Sequence, residues 1–104
     1  MAESKVLTAC LRYLGARSDC RVWRNNSGKL PRADGGFVSF GLVGSADILG
    51  LRLPAGQFVA VECKSPTGRT TKQQDAFARM VRAFGGLYIV ARSVEDLYSE
   101  FPPS

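Results

Sequence analysis

Phe58-Val59-Ala60-Val61-Glu62-Cys63-Lys64 is the stretch that decides the fold. It predicts a β-strand in which odd-numbered side chains face one way and even-numbered side chains face the other. Glu62 and Lys64 therefore share one face of a strand that is otherwise apolar. Because burying charge is costly unless the charge is paired or binds a metal, this pair marks a candidate site. The same short pattern also fits a salt bridge on an exposed sheet face, which is its commoner meaning.

The segments that flank this strand predict a sheet around it. Ala46–Leu53 predicts a second strand, and Pro54-Ala55-Gly56 predicts a hairpin connection between the two strands. Leu87–Ala91 is wholly apolar, which is typical of a strand in the interior of a sheet. Since a helical pattern separates the two, the unit from Phe58 to Ala91 predicts a right-handed parallel crossover.

Apolar residues at helical spacing predict two helices, and a capping signal predicts a third. Residues 3–14 form the first of them. The second begins after a cap supplied by Thr70 or Thr71 and carries an apolar stripe that we expect in the core. That stripe consists of Phe77, Met80, Val81 and Phe84. A short third helix is expected between Ser93 and Pro102.

The region between the first helix and the hairpin is less regular. Arg21–Arg24 predicts a short strand, and Asn25-Asn26-Ser27-Gly28 predicts a turn. Residues 29–36 are expected to form an exposed loop, and Phe37–Phe40 a further short strand. The order of elements predicts one α/β domain over residues 1–104, with a mixed central sheet flanked by helices.

The composition is that of an ordinary globular domain. The chain has 104 residues, of which 45% are hydrophobic and 22% charged. No apolar run approaches the ~20 residues that span a bilayer. Three cysteines without close paired spacing argue against a disulfide framework. We therefore expect an intracellular protein that does not contact a membrane.

Basic residues are concentrated in the first third of the chain. Residues 1–32 hold seven Lys/Arg against two acidic residues, whereas residues 33–104 hold seven of each. The net charge of +5 therefore lies in the N-terminal segment. Such a region attracts polyanions, of which nucleic acid is the commonest. A solvated cationic face without a ligand has the same composition.

The absence of histidine narrows the chemistry. It excludes Ser-His-Asp and Cys-His catalysis, zinc fingers and metal sites built on histidine. If the two predicted strands form a hairpin, Asp47 and Glu62 can meet across them. Two adjacent carboxylates repel unless a cation lies between them. Oxygen ligands favour Mg²⁺ or Mn²⁺, and Lys64 is then placed to orient water or to stabilise charge on a phosphate.

Four segments together resemble the VRR-NUC domain, a family of the PD-(D/E)XK nuclease superfamily. They are residues 44–48 (GSADI), 61–64 (VECK), 68–77 (GRTTKQQDAF) and 85–90 (GGLYIV). The resemblance implies a restriction-endonuclease-like core, similar to that of the Holliday-junction resolvases. It further implies Mg²⁺- or Mn²⁺-dependent cleavage of branched DNA such as four-way junctions or flaps. It also implies a homodimer in the cytoplasm of a bacterial or phage-infected cell.

The resemblance also implies roles for individual residues. Asp47 and Glu62 would be metal ligands, and Lys64 the catalytic lysine. The main-chain carbonyl of Cys63 would be a further ligand. Glu3 matches an N-terminal acidic residue of the family that approaches the metal.

A glutamine at the start of the helix after the lysine supports the site in the family. Gln74 takes this place, with Gln73 as the adjacent competitor. The chain departs from the superfamily motif at Ala46, where proline is usual. Because that proline supplies no chemistry, the departure puts little in doubt. DNA contacts are expected from Arg21, Arg24, Asn25, Asn26, Lys29, Arg69 and Lys72.

Two other classes of function fit the same sequence. One is a non-catalytic nucleic-acid-binding module on the same fold, and the other is an interaction domain that binds an acidic protein. The presence of Asp47, Glu62, Lys64 and Gln74 favours the nuclease, because an inactive site should have lost at least one of them. For the homodimer, the expected contact surfaces are the first helix and the segment Leu97–Phe101, whose aromatic residues have no obvious core partner.

Overall fold

The computed structural model describes residues 1–26 and 28–104, and within them the chain forms two α-helices, six strands and one short 3₁₀-helix. The helices are α1 (Glu3–Gly15) and α2 (Lys72–Ala83), and the 3₁₀-helix is Val94–Leu97. The strands are β1 (Cys20–Arg24), β2 (Gly28–Pro31), β3 (Phe37–Phe40), β4 (Ile48–Arg52), β5 (Gln57–Cys63) and β6 (Leu87–Ala91). The predicted α/β class with a mixed sheet is confirmed.

The main sheet has four strands in the order β1-β4-β5-β6. β4 pairs antiparallel with both β1 and β5, and Ile48 lies opposite Val61. β6 pairs parallel with β5, with Val59 opposite Leu87. The hairpin around Pro54 and the parallel pairing through α2 are therefore as the sequence predicts.

Both faces of β5 are buried, because a helix covers each side of the sheet. Val59, Val61 and Cys63 pack in one apolar cluster with residues of α1. Ala60 belongs to a second cluster with Phe77 and other residues of α2. Glu62 lies on the α2 face, so its carboxylate is enclosed by the core and is not on the surface.

The N-terminal end of α2 is fixed by Thr71. Its hydroxyl accepts a hydrogen bond from the Gln74 main-chain N–H, and the Gln74 side chain accepts one from the Thr71 N–H. This reciprocal pair satisfies two N–H groups that the helix leaves free. Thr71, and not Thr70, is therefore the cap, while the Thr70 hydroxyl donates to Asp75.

The apolar stripe of α2 was expected wholly in the core, and half of it is not. Phe77 and Val81 are buried, but Met80 is 40% exposed and Phe84 87% exposed. At 100° per residue, Met80 lies outside the arc that Phe77, Ala78 and Val81 turn towards the sheet. Phe84 is the C-cap residue, where the helical direction is already lost. The small Ala78 takes the place in the core that Met80 was expected to fill.

The expected loop over residues 29–36 is wrong for its first part. Gly28–Pro31 is a strand and pairs antiparallel with Phe37–Phe40 in a separate two-stranded sheet. Pro31 is tolerated because it is the last residue of the strand and lies opposite Phe37, the first residue of its partner.

The C-terminal segment does not form the free surface that a dimer contact would need. Leu97 and Phe101 are fully buried in the cluster that contains α1. The Tyr13 hydroxyl donates to the Phe101 carbonyl at 2.6 Å, which fixes the segment against the helix. The buried face of α1 is likewise used within the chain. The premise that the aromatic residues of this segment lack a core partner is therefore wrong for Phe101, and the homodimer stays a prediction.

The end of the chain also differs in secondary structure. Val94–Leu97 is a 3₁₀-helix, and the Ser93 side chain makes no capping bond. In the described residues, no helix combines the length and apolar character needed to cross a membrane.

Candidate metal centre

Asp47 lies one residue before β4, at the edge of the sheet where β5 ends. It was expected inside the strand, but the ladder between β4 and β5 stops at Ile48 and Val61. Its Oδ2 accepts a hydrogen bond of 2.9 Å from the Cys63 N–H, which continues the contact between the two strands through a side chain. One oxygen of the Asp47 carboxylate is thereby fixed.

Glu62 is buried, with 2% of its surface exposed. Its Oε2 accepts a 3.1 Å hydrogen bond from Gln74 Nε2 and lies 3.5 Å from Lys64 Nζ. Its Oε1 is buried and has no hydrogen-bond partner among the residues that the structure describes. Burial raises the pKa of Glu62 to about 7, the charge of Asp47 adds to this, and Lys64 opposes it. An unsatisfied buried oxygen of this kind requires a physical explanation.

Glu3 completes a group of three carboxylates. Glu3, Asp47 and Glu62 each offer an oxygen, and these oxygens lie within 4.8 Å of one another. Glu3 is the first residue of α1 and is exposed, so the group opens to solvent on one side. The sequence resemblance implied this convergence of three distant residues, and the structure brings them together.

The donor set fits Mg²⁺ or Mn²⁺. Every side chain in the group offers oxygen, and hard divalent cations prefer oxygen ligands. A cation would also give the Glu62 Oε1 a partner and remove the repulsion between neighbouring carboxylates. The thiol of Cys63 lies on the other face of β5, where the Cys10 thiol and burial raise its pKa, so it does not add a sulfur ligand.

The main-chain carbonyl of Cys63 faces the same edge as the carboxylates. The N–H and C=O of one strand residue point to the same side, and the Cys63 N–H points to Asp47. The next residue, Lys64, points its N–H to the opposite side, where it donates to the Ala91 carbonyl at 3.0 Å. This alternation leaves the Cys63 carbonyl directed at the site, although its role as a ligand stays a prediction.

Lys64 follows β5 directly and is 8% exposed. The interpretation of Glu62 and Lys64 as a salt bridge on an exposed sheet face is therefore wrong. Lys64 Nζ sits beside Glu62 Oε2 at 3.5 Å, within the same buried pocket of charge. The positive charge of Lys64 can act there on an anionic ligand with little screening by water.

Gln74 is the glutamine that reaches the site. Its Nε2 donates to Glu62, and its Oε1 accepts from the Thr71 N–H, so both ends of the amide are held. Gln73 is exposed. Of the two candidate glutamines, Gln74 is therefore the one that contacts Glu62, and its hydrogen bond fixes the orientation of the Glu62 carboxylate.

Three further residues at the site were not singled out by the sequence, or were given another role. Asn25 was expected to contact DNA, yet its amide donates to Ser45 Oγ at 2.7 Å and to the Ala46 carbonyl at 2.9 Å. Arg92 Nη1 donates to two carbonyls of the loop that follows Lys64. The only sequence signal for Arg92 was its place directly after an apolar strand.

Tyr88 is the third of these residues. Its hydroxyl is buried and, within the described part of the chain, has no hydrogen-bond partner. Burial raises its pKa to about 12, and the charge of Glu62 adds to this. Tyr88 lies opposite Ala60 and belongs to the cluster on the α2 face, the face that carries Glu62. A hydroxyl within an apolar strand was the sequence signal that could have identified it.

The expected DNA-contacting residues differ in their distance from the carboxylates. Arg21, Arg24, Asn26, Arg69 and Lys72 are all exposed. Arg24 lies opposite Ile48, the neighbour of Asp47, whereas Arg21 lies opposite Leu51. At about 3.4 Å per residue, Arg21 is roughly 10 Å farther along the strand. Ser27 and the side chain of Lys29 lie outside the described part of the structure.

Comparisons of the chain with protein-family models, with curated proteins and with solved structures found no match.

Proposed function

We propose that this protein is a Mg²⁺- or Mn²⁺-dependent endodeoxyribonuclease of the PD-(D/E)XK type. The observation that carries the proposal is the buried Glu62, whose Oε1 has no partner among the described residues, beside Asp47 and Lys64. A carboxylate in this position is costly for a protein that only folds, because burial and a like charge both oppose its ionisation. Binding a divalent cation would offset this cost, because the cation neutralises the two carboxylates.

The residues divide the chemistry of phosphodiester hydrolysis between them. A bound divalent cation would supply Lewis acidity to the phosphate and lower the pKa of water. Glu3, Asp47 and Glu62 would hold it, and Gln74 fixes the direction of the Glu62 carboxylate. Lys64 brings a positive charge to the same place, where it orients the attacking water or stabilises negative charge on the phosphate.

The arrangement of the sheet supports the nuclease type. Asp47 precedes one strand of a hairpin, Glu62 and Lys64 lie at the end of the other, and a helix follows with Gln74 in its first turn. This is the order in which the resembled superfamily carries its acidic residues, lysine and supporting glutamine. The mixed sheet between two helices agrees with the restriction-endonuclease-like core that the resemblance implies.

The substrate we propose is branched DNA, bound by the exposed basic residues around the site. Arg69 and Lys72 lie on the loop and helix start that follow Lys64, and Arg24 ends the edge strand next to Asp47. A homodimer would place two such sites on the two opposed strands of a four-way junction. Its contact surface lies outside the buried faces of α1 and Leu97–Phe101.

The test is a cleavage assay with labelled duplex, flap and four-way-junction DNA in Mg²⁺, Mn²⁺, Ca²⁺ or EDTA. We expect cleavage in Mg²⁺ and Mn²⁺, binding without cleavage in Ca²⁺, and neither cleavage nor nicks in EDTA. Asp47→Ala should abolish cleavage, while Asp34→Ala, which changes an exposed aspartate on the β2–β3 connection, should not. Undiminished cleavage in EDTA would refute a metal-dependent mechanism, and DNA binding without cleavage in any metal would indicate a binding module.

A further inference from the structure

Asn25 makes three hydrogen bonds to the three residues that end at Asp47. Its main-chain N–H donates to the Asp47 carbonyl at 2.8 Å. Its side-chain Nδ2 donates to Ser45 Oγ at 2.7 Å and to the Ala46 carbonyl at 2.9 Å. One residue therefore holds the whole segment that carries the carboxylate.

The segment of residues 45–47 lies beyond the regular pairing of the sheet, so other hydrogen bonds must hold it in place. The ladder between β1 and β4 ends where Arg24 lies opposite Ile48. Asp47 lies one residue beyond that point, so its main chain is outside the regular pairing. The Asn25 N–H extends the ladder by one bond, and its side-chain amide adds bonds to the Ala46 carbonyl and to the Ser45 hydroxyl. Asparagine suits this place, because its short side chain carries two donors on a single nitrogen.

The other side of the segment is held by α2. Gly44 has a φ of +80°, and a Cβ at this position would overlap the main-chain carbonyl of Gln73. The segment from Gly44 to Asp47 therefore lies between the end of β1 and the start of α2. With both sides fixed, Asp47 Oδ2 is directed to the Cys63 N–H and the carboxylate is directed to Glu62.

We infer that Asn25 is a positioning residue that acts through Asp47, and that it does not contact DNA. The inference rests on the proposed function, because it assigns Asn25 to the metal site of that function. Asn25→Ala keeps the main-chain bond to the Asp47 carbonyl but loses the two side-chain bonds to Ser45 and Ala46, so the segment that carries the Asp47 carboxylate is held less firmly. Removing a side chain that positions a metal ligand typically lowers metal affinity about 10- to 100-fold. We expect Asn25→Ala to fall within that range for Mn²⁺.

The experiment is a Mn²⁺ titration of the full chain, followed by the electron paramagnetic resonance signal of free Mn²⁺. The variants are Asn25→Ala, Asp47→Ala, the double variant, and Asn26→Ala as the matched control on the exposed neighbour. Mn²⁺ affinity should fall at least tenfold in Asn25→Ala and stay within twofold in Asn26→Ala. In the Asp47→Ala background, the Asn25 change should cause no further loss, since both act on one ligand.

Two more readouts separate positioning from other roles. DNA affinity in EDTA should be the same for wild type and Asn25→Ala, whereas a lost DNA contact would lower it. A purely structural role would lower the thermal midpoint and leave Mn²⁺ affinity unchanged, which would overturn the inference. If Asn25→Ala does not fold, Ser45→Ala removes one acceptor only, and it should weaken Mn²⁺ binding at an unchanged midpoint. Unchanged Mn²⁺ affinity in Ser45→Ala would also overturn the inference that Asn25 positions Asp47.

The two proposals fail in different ways. If Asp47→Ala does not weaken Mn²⁺ binding, the metal centre itself is wrong. If Asp47→Ala weakens binding and Asn25→Ala does not, the metal centre stands and only the role of Asn25 is refuted.

Discussion

Replacing Glu62 by glutamine is expected to stabilise the metal-free protein at pH 8 by much more than at pH 5. Burial and the charge of Asp47 raise the pKa of Glu62 from 4.5 to about 7 in the folded protein. A pKa raised by folding means that the folded state binds the proton more tightly than the unfolded state. The associated stability is complete below pH 4.5 and is lost as the pH rises through about 7.

The size of the effect follows from the two pKa values. The difference between 4.5 and about 7 corresponds to roughly 3 kcal/mol, most of which is lost between pH 5 and pH 8. The glutamine of the variant is neutral at every pH, as the protonated Glu62 is at pH 5. The variant should therefore avoid this loss. In the absence of metal, the ionised Glu62 of the proposed metal centre lowers the stability of the wild type relative to the variant.

The assay is urea unfolding in EDTA at several values between pH 5 and pH 8. The wild type should lose stability over this range relative to Glu62→Gln, while Glu95→Gln, at an exposed position of the 3₁₀-helix, should follow the wild type. Saturating Mn²⁺ at pH 8 should stabilise the wild type, and it should stabilise Glu62→Gln much less. Parallel pH profiles for wild type and Glu62→Gln would refute the reasoning.

Three other changes test the surroundings of the site. Gly44→Ala should destabilise the protein by about 1–3 kcal/mol in urea unfolding, because it adds an overlap with the α2 main chain to the strain of positive φ. Gly35→Ala has the same kind of φ in open space, so an equal loss in both would disprove the overlap. Gln74→Ala should reduce cleavage more than Gln73→Ala, and the reverse order would contradict the hydrogen bond to Glu62. Arg24→Ala should reduce the slope of log DNA affinity against log salt by about 0.9, and an unchanged slope would place the DNA elsewhere.

The sequence predicted the elements whose pattern is strong along the chain. The alternation in β5, the helical spacing of α1 and the apolar run of β6 each mark one kind of element, and all three were confirmed. Predictions failed where the outcome depends on tertiary packing. Nothing local shows that Phe101 folds back onto α1 and becomes fully buried, or that Phe84 falls past the end of its helix.

For the candidate site too, the sequence predicted what is visible along the chain and missed what depends on tertiary packing. The presence of Asp47, Glu62 and Lys64 was visible in the sequence, and the hairpin predicted that the first two would meet. The burial of Lys64, and of a Glu62 Oε1 that has no partner among the described residues, depends on the packing of α2 on the sheet. The role of Asn25 was beyond the sequence for a similar reason. An asparagine in a turn shows its donors but not the strand segment that receives them.

The most direct test of the proposed nuclease is the separation of metal binding from cleavage in Lys64→Ala. The three carboxylates proposed to bind the metal, Glu3, Asp47 and Glu62, all remain in this variant. Lys64→Ala should therefore bind Mn²⁺ with an affinity close to that of the wild type. It should nevertheless fail to cleave four-way-junction or flap DNA, whereas Lys5→Ala, on the exposed surface of α1, should cleave normally. A Lys64→Ala protein that loses Mn²⁺ affinity but keeps cleaving would contradict the proposal.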